Sequence, residues 1–287
     1  MLDIGRESIV GTDATRGRPA SRRRTVEGPL KREERRQEII DLLIESRAVD
    51  LDDLASRFAV SKMTIHRDLD DLERAGVLRK VRGGATIDPG TQFESDFRFR
   101  ELQEADVKRS IAAVAAELVE PGMTVMINDG SMAAMLGDVL AKKRPLTIIT
   151  NNAAIIDRNK GDSGATLIAV GGVYSAKFNA YLGIVAEEAL SRLRADIAFV
   201  SAPAASGRLA YHMDDTVVRS KRAMIASSRQ SCLLVNSRRF GHTALHVLAD
   251  LNDFGTIISD KPLPHETAMQ LEGGRTTVKI ATEEGMQ

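Results

Sequence analysis

Tryptophan is absent from this 287-residue sequence, and aromatic residues make up only 4% of it. A base-stacking platform for single-stranded nucleic acid is therefore a poor fit. The one cysteine, Cys232, excludes an internal disulfide framework and a cysteine-built zinc site, and suits a reducing cytoplasm. No apolar run approaches the ~20 residues needed to span a bilayer, so no membrane partner is expected. Residues 1–30 mix arginines and acids without an apolar stretch, unlike a secretory leader. Net charge is lacking as well. The 40 Lys+Arg balance the 40 Asp+Glu, which excludes a uniformly basic, histone-like protein. It does not exclude nucleic-acid binding, which depends on local clustering of charge. What is present, 43% hydrophobic and 28% charged residues, is the balance of a globular chain. At ~150 residues per domain the length suits two domains.

The pattern divides the chain into four stretches. Residues 1–30 read as a disordered, arginine-containing tail with the run Arg22-Arg23-Arg24. It is either a solvated tail, or an over-extended start, or a basic arm that adds phosphate contacts on DNA. Residues 31–90 read as a compact helical unit. Ile39, Leu42 and Leu43 line a first helix, Leu51, Leu54, Ala55 and Phe58 a second, and Ile65, Leu69 and Leu72 a third. Gly76 would close the third helix, and Val77–Ile87 read as a hairpin turning at Gly83-Gly84. Residues 91–106 read as a polar linker that Phe93, Phe97 and Phe99 dock against a domain.

From 107 to 282, helical stretches (107–119, 132–142, 181–193, 216–227) alternate with seven β-rich runs. The runs are Thr124–Asn128, Leu146–Thr150, Thr166–Val170, Ile197–Ser201, Cys232–Asn236, Thr256–Ser259 and Thr277–Ile280. This alternation predicts an α/β domain with a mainly parallel sheet covered on both faces.

The helical unit has the order of a DNA-binding winged helix-turn-helix. Ser61 is a natural N-cap for the third helix, set off from the second by a tight turn at Ala59-Val60. Such a helix presents its first turns to the major groove. The outward residues there are Ser61, Lys62, Met63, Thr64, His66 and Arg67, types that donate to guanine edges or phosphates or touch a thymine methyl. The hairpin adds Arg79, Lys80 and Arg82 as a basic wing. The acids Asp68, Asp70, Asp71 and Glu73 fall in the back half of the helix, away from this surface.

The stretch Arg35–Thr86 resembles the DNA-binding domain of the DeoR family of bacterial transcriptional regulators. The resemblance is carried by Val60-Ser61, Thr64-Ile65-His66-Arg67-Asp68-Leu69, Leu72-Glu73, Gly76 and Arg82-Gly83-Gly84-Ala85. His66 stands where the family pattern has Arg. The resemblance continues more weakly through the C-terminal stretch. It implies a sugar-phosphate sensor domain related in fold to ribose-5-phosphate isomerase.

Three loops follow predicted strands in that domain, at Asn128-Asp129-Gly130-Ser131, Thr150-Asn151-Asn152 and Gly171-Gly172. Ligands of open α/β sheets sit outside the carboxyl ends of strands, and a helix N-terminus offers free N–H groups to an anion. Asp129, Gly130, Ser131, Thr150, Asn151, Asn152, Gly171 and Gly172 are therefore candidate ligand residues. The resemblance adds Lys221 and Arg239. Near the latter the chain departs from an Asp-x-x-Lys-Phe-Gly pattern, with Asn236 for Asp and Arg239 for Lys. Arg clamps phosphate but does not relay protons at neutral pH.

No catalytic set is evident. The five histidines, His66, His212, His242, His246 and His265, avoid the predicted ligand loops, and the His242/His246 pair lacks a third metal ligand at suitable spacing. The sequence thus reads as a cytoplasmic regulator, most simply a homo-oligomeric (dimeric or tetrameric) repressor of a sugar or polyol operon. Its expected partners are double-stranded operator DNA and a phosphorylated sugar or polyol as effector, with no cofactor and no metal. The alternative is a sugar-phosphate isomerase or deaminase with an appended helical domain, which would need a general base near the substrate.

Overall fold

The computed structural model describes residues 31–46, 48–74, 78–86, 97–161 and 164–282. The tail at 1–30, Gly76, Phe93 and the side chain of Phe99 lie outside the described residues.

The N-terminal unit opens with α1 (Arg32–Ser46), the short strand β1 (Ala48–Asp50), α2 (Leu51–Phe58) and α3 (Lys62–Arg74). A hairpin of β2 (Arg79–Val81) and β3 (Gly84–Thr86) follows. Asp50 caps α2 by accepting from the N–H groups of Asp52 and Asp53, and Ala59 ends it in the left-handed region at φ 52°. Ser61 then caps α3: its Oγ accepts the Thr64 N–H at 3.1 Å. Ile39, Leu43, Leu54, Phe58, Ile65, Leu69 and Leu72 meet in one core, as their helical spacing requires.

The back-half acids of α3 hold α1 in place. Arg35 Nε donates to Asp68 at 2.6 Å with both side chains buried, and Asp71 takes Arg32, Arg36 (2.9 Å) and Arg74. The strand β1 has no alternating pattern of its own. It forms because β3 gives it a partner, making a three-stranded sheet in the order β1-β3-β2. Gly84 permits that pairing: a Cβ there would stand 2.0 Å from the Val49 carbonyl oxygen.

Helix α4 (Phe97–Leu102) lies within the stretch 91–106 expected as a linker, and α5 (Ala105–Ala116) begins before its end. Phe97 docks as expected: it is buried in the sensor core, and its N–H donates to the Lys177 carbonyl at 3.1 Å. The α/β domain then runs β4 (Thr124–Ile127), α6 (Ser131–Leu140), β5 (Leu146–Thr150), α7 (Ala153–Asn159) and β6 (Ala165–Ala169). A hairpin of β7 (Val173–Ser175) and β8 (Ala180–Leu182) precedes α8 (Ile184–Ser191), and β9 (Ala195–Ser201) returns to the sheet. Next come β10 (Ala204–Ser206), β11 (Leu209–His212), α9 (Asp215–Ala226), β12 (Ser228–Leu234) and β13 (His246–Asp250). The chain closes with β14 (Thr256–Ser259), α10 (His265–Leu271) and β15 (Thr277–Ile280).

All seven expected strands join one sheet in the order β15-β14-β12-β9-β4-β5-β6, with every pairing parallel. Alternation sends Val125 and Ile127 into the layer with α5 and α6, and Met126 into the layer with α8 and α9. Both faces are covered, as a parallel sheet demands. The helix expected over 181–193 begins only at Ile184, because Ala180–Leu182 pair with Val173–Ser175. Strands β10, β11 and β13 form a small antiparallel sheet beside the main one.

Candidate functional site

On the N-terminal unit the expected DNA-contacting residues lie on one exposed face. Ser61, Lys62, Met63 and Arg67 are exposed, and Thr64 and His66 half-buried, along the first two turns of α3. Met63 is 62% exposed, an apolar side chain turned to solvent where packing does not require it. Lys62 Nζ reaches Asp52 at 2.7 Å. Among the described residues Arg67 has no ion-pair partner, and Arg79 and Arg82 are exposed on the hairpin. Lys80 is engaged differently. Its ammonium pairs with Asp70, its N–H donates to Glu73 Oε1 at 2.7 Å, and the bond from Lys80 holds the Asp70 carboxyl below its ordinary range. It fastens the wing to α3.

The second site is a cavity at the carboxyl ends of three adjacent strands. Gly130, Ser131 and Met132 reach it from β4, Ser201, Ala202 and Pro203 from β9, and Leu234, Asn236 and Arg239 from β12. His212 and Lys221 close one side, and Arg100, Glu104 and Lys108 cover another. Gly130 precedes α6 without any side-chain cap, at φ 104° and ψ 156°. A Cβ there would come within 3.2 Å of Ser201 Oγ. The Asn128 side chain ties this loop to β9, its Oδ1 accepting the Ser201 N–H at 3.1 Å.

Four cations line this cavity. Lys221 is 2% exposed, lies 3.7 Å from Asp129 and donates to the Ser201 carbonyl at 2.9 Å. Burial lowers its pKa against the opposing pull of Asp129. Lys108 is buried too, with its ammonium on the Arg100 carbonyl, and burial lowers its pKa to about 7. Arg239 is likewise pushed down by burial and held up by Glu104. Arg100 lies across the rings of Phe97 and Phe178 at 6.0 and 5.9 Å. His212 accepts the Asp214 N–H on Nδ1 at 3.0 Å, and burial, with Lys221 nearby, keeps its ring neutral. That leaves a proton on Nε2. The set is suited to an anion bearing hydroxyl groups: cations and a helix N-terminus for charge, with amide, hydroxyl and imidazole groups for the rest.

The structure brings Gly130, Ser131, Lys221 and Arg239 together here, with Asp129 buried beside Lys221 at 3.7 Å rather than on the cavity wall. It does not bring the other candidates. Thr150 Oγ1 donates to the Ile127 carbonyl, Asn151 Nδ2 to the Tyr181 carbonyl, and Asn152 Nδ2 to the carbonyls of Asn128 and Gly130. Thr150 and Asn152 thus brace the end of β4 and the 128–131 loop, while Asn151 ties the end of β5 to β8. Gly171 and Gly172 follow the edge strand β6, separated from β4 by β5, and are exposed. Sequence order suggested the first three strands; sheet order substitutes β9 and β12. Arg100, Glu104, Lys108 and His212 carried no signal beyond their charge, because they lie on segments read as linker, helix and loop. Among the described residues no group of three His, Cys, Asp or Glu is placed to hold a metal ion. No helix among them is long and apolar enough to cross a membrane.

Comparison with known proteins covers both units. Residues 35–90 match the DeoR-like helix-turn-helix domain, and residues 103–261 match the DeoR C terminal sensor domain. An uncharacterized HTH-type transcriptional regulator, YgbI of Escherichia coli (strain K12), is 30% identical over 88% of this chain and 98% of its own. The L-fucose operon activator of Haemophilus influenzae is 32% identical over 74% and 85%. The glycerol-3-phosphate regulon repressor of E. coli is 27% identical over 82% and 93%. A solved D-ribose-5-phosphate isomerase superposes at a TM-score of 0.35 and 11% identity, covering 47% of this chain and 54% of that one. So loose a superposition carries no functional argument.

Proposed function

This chain belongs to the DeoR family of transcriptional regulators, and on that premise we propose that it represses a sugar or polyol operon until a phosphorylated sugar releases it from DNA. It is a DNA-binding regulator and not an enzyme. The first turns of α3 enter the major groove of double-stranded operator DNA, with Ser61, Lys62, Met63, Thr64, His66 and Arg67 facing the bases and phosphates. Arg79 and Arg82 on the wing reach the flanking backbone. Lys80 positions the wing and contributes charge from its place on Asp70.

The observation that carries the effector reading is the cavity at the ends of β4, β9 and β12, where four cations meet the uncapped start of α6. Phosphate sits on the N–H groups at Gly130–Met132 and on Lys221, and hydroxyls meet Ser131, Asn236 and His212. Asp129 holds the Lys221 ammonium in place. Thr150, Asn151, Asn152, Gly171 and Gly172 act through the loops they shape rather than by touching ligand.

Arg100 and Glu104 explain the coupling. They belong to the segment that leads from the DNA-binding unit into the sensor, so a ligand that rearranges them moves that segment. Coupling of ~1–3 kcal/mol, a 5–150-fold change in operator affinity, is typical of such linkage. Two linked DNA-binding units on a repeated operator make the second engagement effectively intramolecular. We therefore assign a homo-oligomer, a dimer or tetramer, acting in the cytoplasm. Four large apolar side chains on the β7–β8 hairpin and the start of α8, Val173, Tyr174, Ile184 and Val185, are each at least half exposed, which supports self-association.

The test is release of the full-length protein from its own upstream DNA at low ionic strength, read by fluorescence anisotropy across a panel of sugar phosphates. One or more should release the wild type, whereas Asp129→Asn combined with Ser131→Ala should bind DNA and ignore them. A double variant that responds normally would place the effector elsewhere.

A further inference from the structure

The exposed side chains of α3 are not equivalent, and their differences narrow what the operator contains. We infer that Met63 and Arg67 are the base-reading pair of this helix, Met63 against the C5-methyl group of a thymine and Arg67 against the O6 and N7 acceptors of a guanine, the two bases lying within about two base pairs of each other. This rests on the reading of α3 as the helix that enters the major groove.

Helical spacing sets the two on one stripe. Ile65, Leu69 and Leu72 point into the core of the unit. At roughly 3.6 residues per turn, Met63 and Arg67, four positions apart, fall on the opposite side of α3. Four residues of helix rise about 6 Å, close to two base-pair steps at about 3.4 Å each. Asp70 comes next on the same side, but its carboxylate is paired with Lys80. The open part of the stripe is therefore Met63 and Arg67.

The other side chains at the helix start are already engaged. Lys62 Nζ meets Asp52 on α2 at 2.7 Å. The hydroxyls of Ser61 and Thr64 share a hydrogen bond at 2.9 Å, and Ser61 also caps the Thr64 N–H. His66 is half-buried on the flank. Groups held in this way suit contact with phosphates, which fix register and carry no sequence. Arg67 is exposed and, among the described residues, has no ion-pair partner. Its planar guanidinium matches the two acceptors on a guanine edge.

Exposed apolar surface points the same way. Met63 is 62% exposed, and Val81, on the wing, is 41% exposed. Among the described residues of this unit they are the large apolar side chains turned to solvent, and the core gains nothing from either. Cations flank both, Lys62 and Arg67 on α3 and Arg79 and Arg82 on the wing, so the surface calls for an anionic partner with an apolar feature. The apolar group that a duplex presents in its major groove is the thymine methyl. The unbranched, polarizable side chain of Met settles against such a group without demanding one geometry.

The experiment titrates full-length protein against its own upstream DNA at low ionic strength, read by fluorescence anisotropy. Thymines are replaced by deoxyuridine one position at a time, which removes only the methyl group. Wild-type affinity should fall about fourfold at one position in each operator repeat. Met63→Ala should bind the unmodified DNA at least about fourfold more weakly and lose nothing further on that replacement, whereas Met63→Leu should keep the dependence. 7-Deazaguanine, which lacks the N7 acceptor, should weaken the wild type about fivefold at a guanine within about two base pairs of that thymine, and leave Arg67→Ala indifferent. A deoxyuridine scan that is silent throughout, or a loss that Met63→Ala shows equally, overturns the assignment of Met63 and leaves α3 as the groove helix. A sensitive guanine that lies elsewhere, or that Arg67→Ala still senses, overturns the pairing. If the wild type does not bind this DNA at all, the reading of α3 as a groove helix fails, and the inference with it.

Discussion

Replacement of Lys108 by methionine should change how the stability of the sensor domain depends on pH. Lys108 is 5% exposed, and burial lowers its pKa from 10.5 to about 7. Glu104 and Glu101 oppose that shift, and Arg239 and Arg100 reinforce it. Between pH 7 and 10.5 the unfolded chain therefore binds a proton that the folded protein does not. The cost of burying the ammonium is complete below pH 7 and fades as pH rises toward 10.5, so stability rises with pH across that window. From about pH 6 to about pH 9 the gain attributable to Lys108 is roughly 2.5 kcal/mol.

The protein carries its own probe. Its three tyrosines, Tyr174, Tyr181 and Tyr211, all lie in the sensor domain and tryptophan is absent, so tyrosine fluorescence during urea unfolding reports on that domain alone. Lys108→Met loses the hydrogen bonds to the carbonyls of Arg100 and Glu101, ~1 kcal/mol each at every pH. That shifts the curve without tilting it. The tilt belongs to the titrating ammonium, and Lys221, whose pKa is lowered in the same direction, retains its own share in both proteins. The wild-type curve should be steeper than the variant's by the amount above. Parallel curves would refute the reasoning.

Other perturbations reach the remaining parts of the molecule. Arg67→Ala should lower operator affinity by ~1–3 kcal/mol, about 5–150-fold in anisotropy titrations, and leave the calorimetric response to phosphosugars unchanged. Wild-type affinity for the operator should fall steeply with salt, linearly on logarithmic axes. Gly84→Ala places a methyl 2.0 Å from the Val49 carbonyl oxygen, so β1 and β3 must part. A loss of ~1–3 kcal/mol in the N-terminal unit, measured by hydrogen exchange, is expected. Asp68→Asn removes the buried carboxylate that Arg35 meets at 2.6 Å and should destabilise the packing of α1 on α3 by ~1–3 kcal/mol. Tyrosine-reported unfolding of the sensor should not move.

Much of this architecture was legible in the chain. The seven sheet strands contain short runs rich in Ile, Val, Leu and Thr between turn signals, and each overlaps its expected run, although β12 starts at Ser228 rather than Cys232 because its polar first half pairs with β9. The helix-turn-helix was legible because three independent requirements coincide: the Ser61 cap, the Ile65/Leu69/Leu72 stripe and the Gly83-Gly84 turn. What escaped notice lacks apolar contrast. Strands β10 and β11, built of Ala-Ala-Ser and Leu-Ala-Tyr-His, exist because they pair with each other and with β13. The cavity was half legible. Loop chemistry marks Asp129-Gly130-Ser131 in one dimension, but which loops face each other is a property of strand order. Thr150, Asn151 and Asn152 carry the polar groups expected of ligand contacts but donate to backbone carbonyls, a use that spacing alone does not distinguish, and Asn151 Oδ1 is buried without a partner among the described residues.

Strand order also bears on synthesis. The unit from Arg32 to Thr86 completes its core from its own neighbours in sequence, whereas the edge strand Thr277–Ile280, which pairs onto the large sheet, is made about 190 residues later. During elongation at ~5–20 residues per second, a local unit folds well before a sheet of distant pairings. For roughly 10–40 seconds at that rate each nascent chain thus displays a finished helix-turn-helix unit on the ribosome while its sensor domain is still being made.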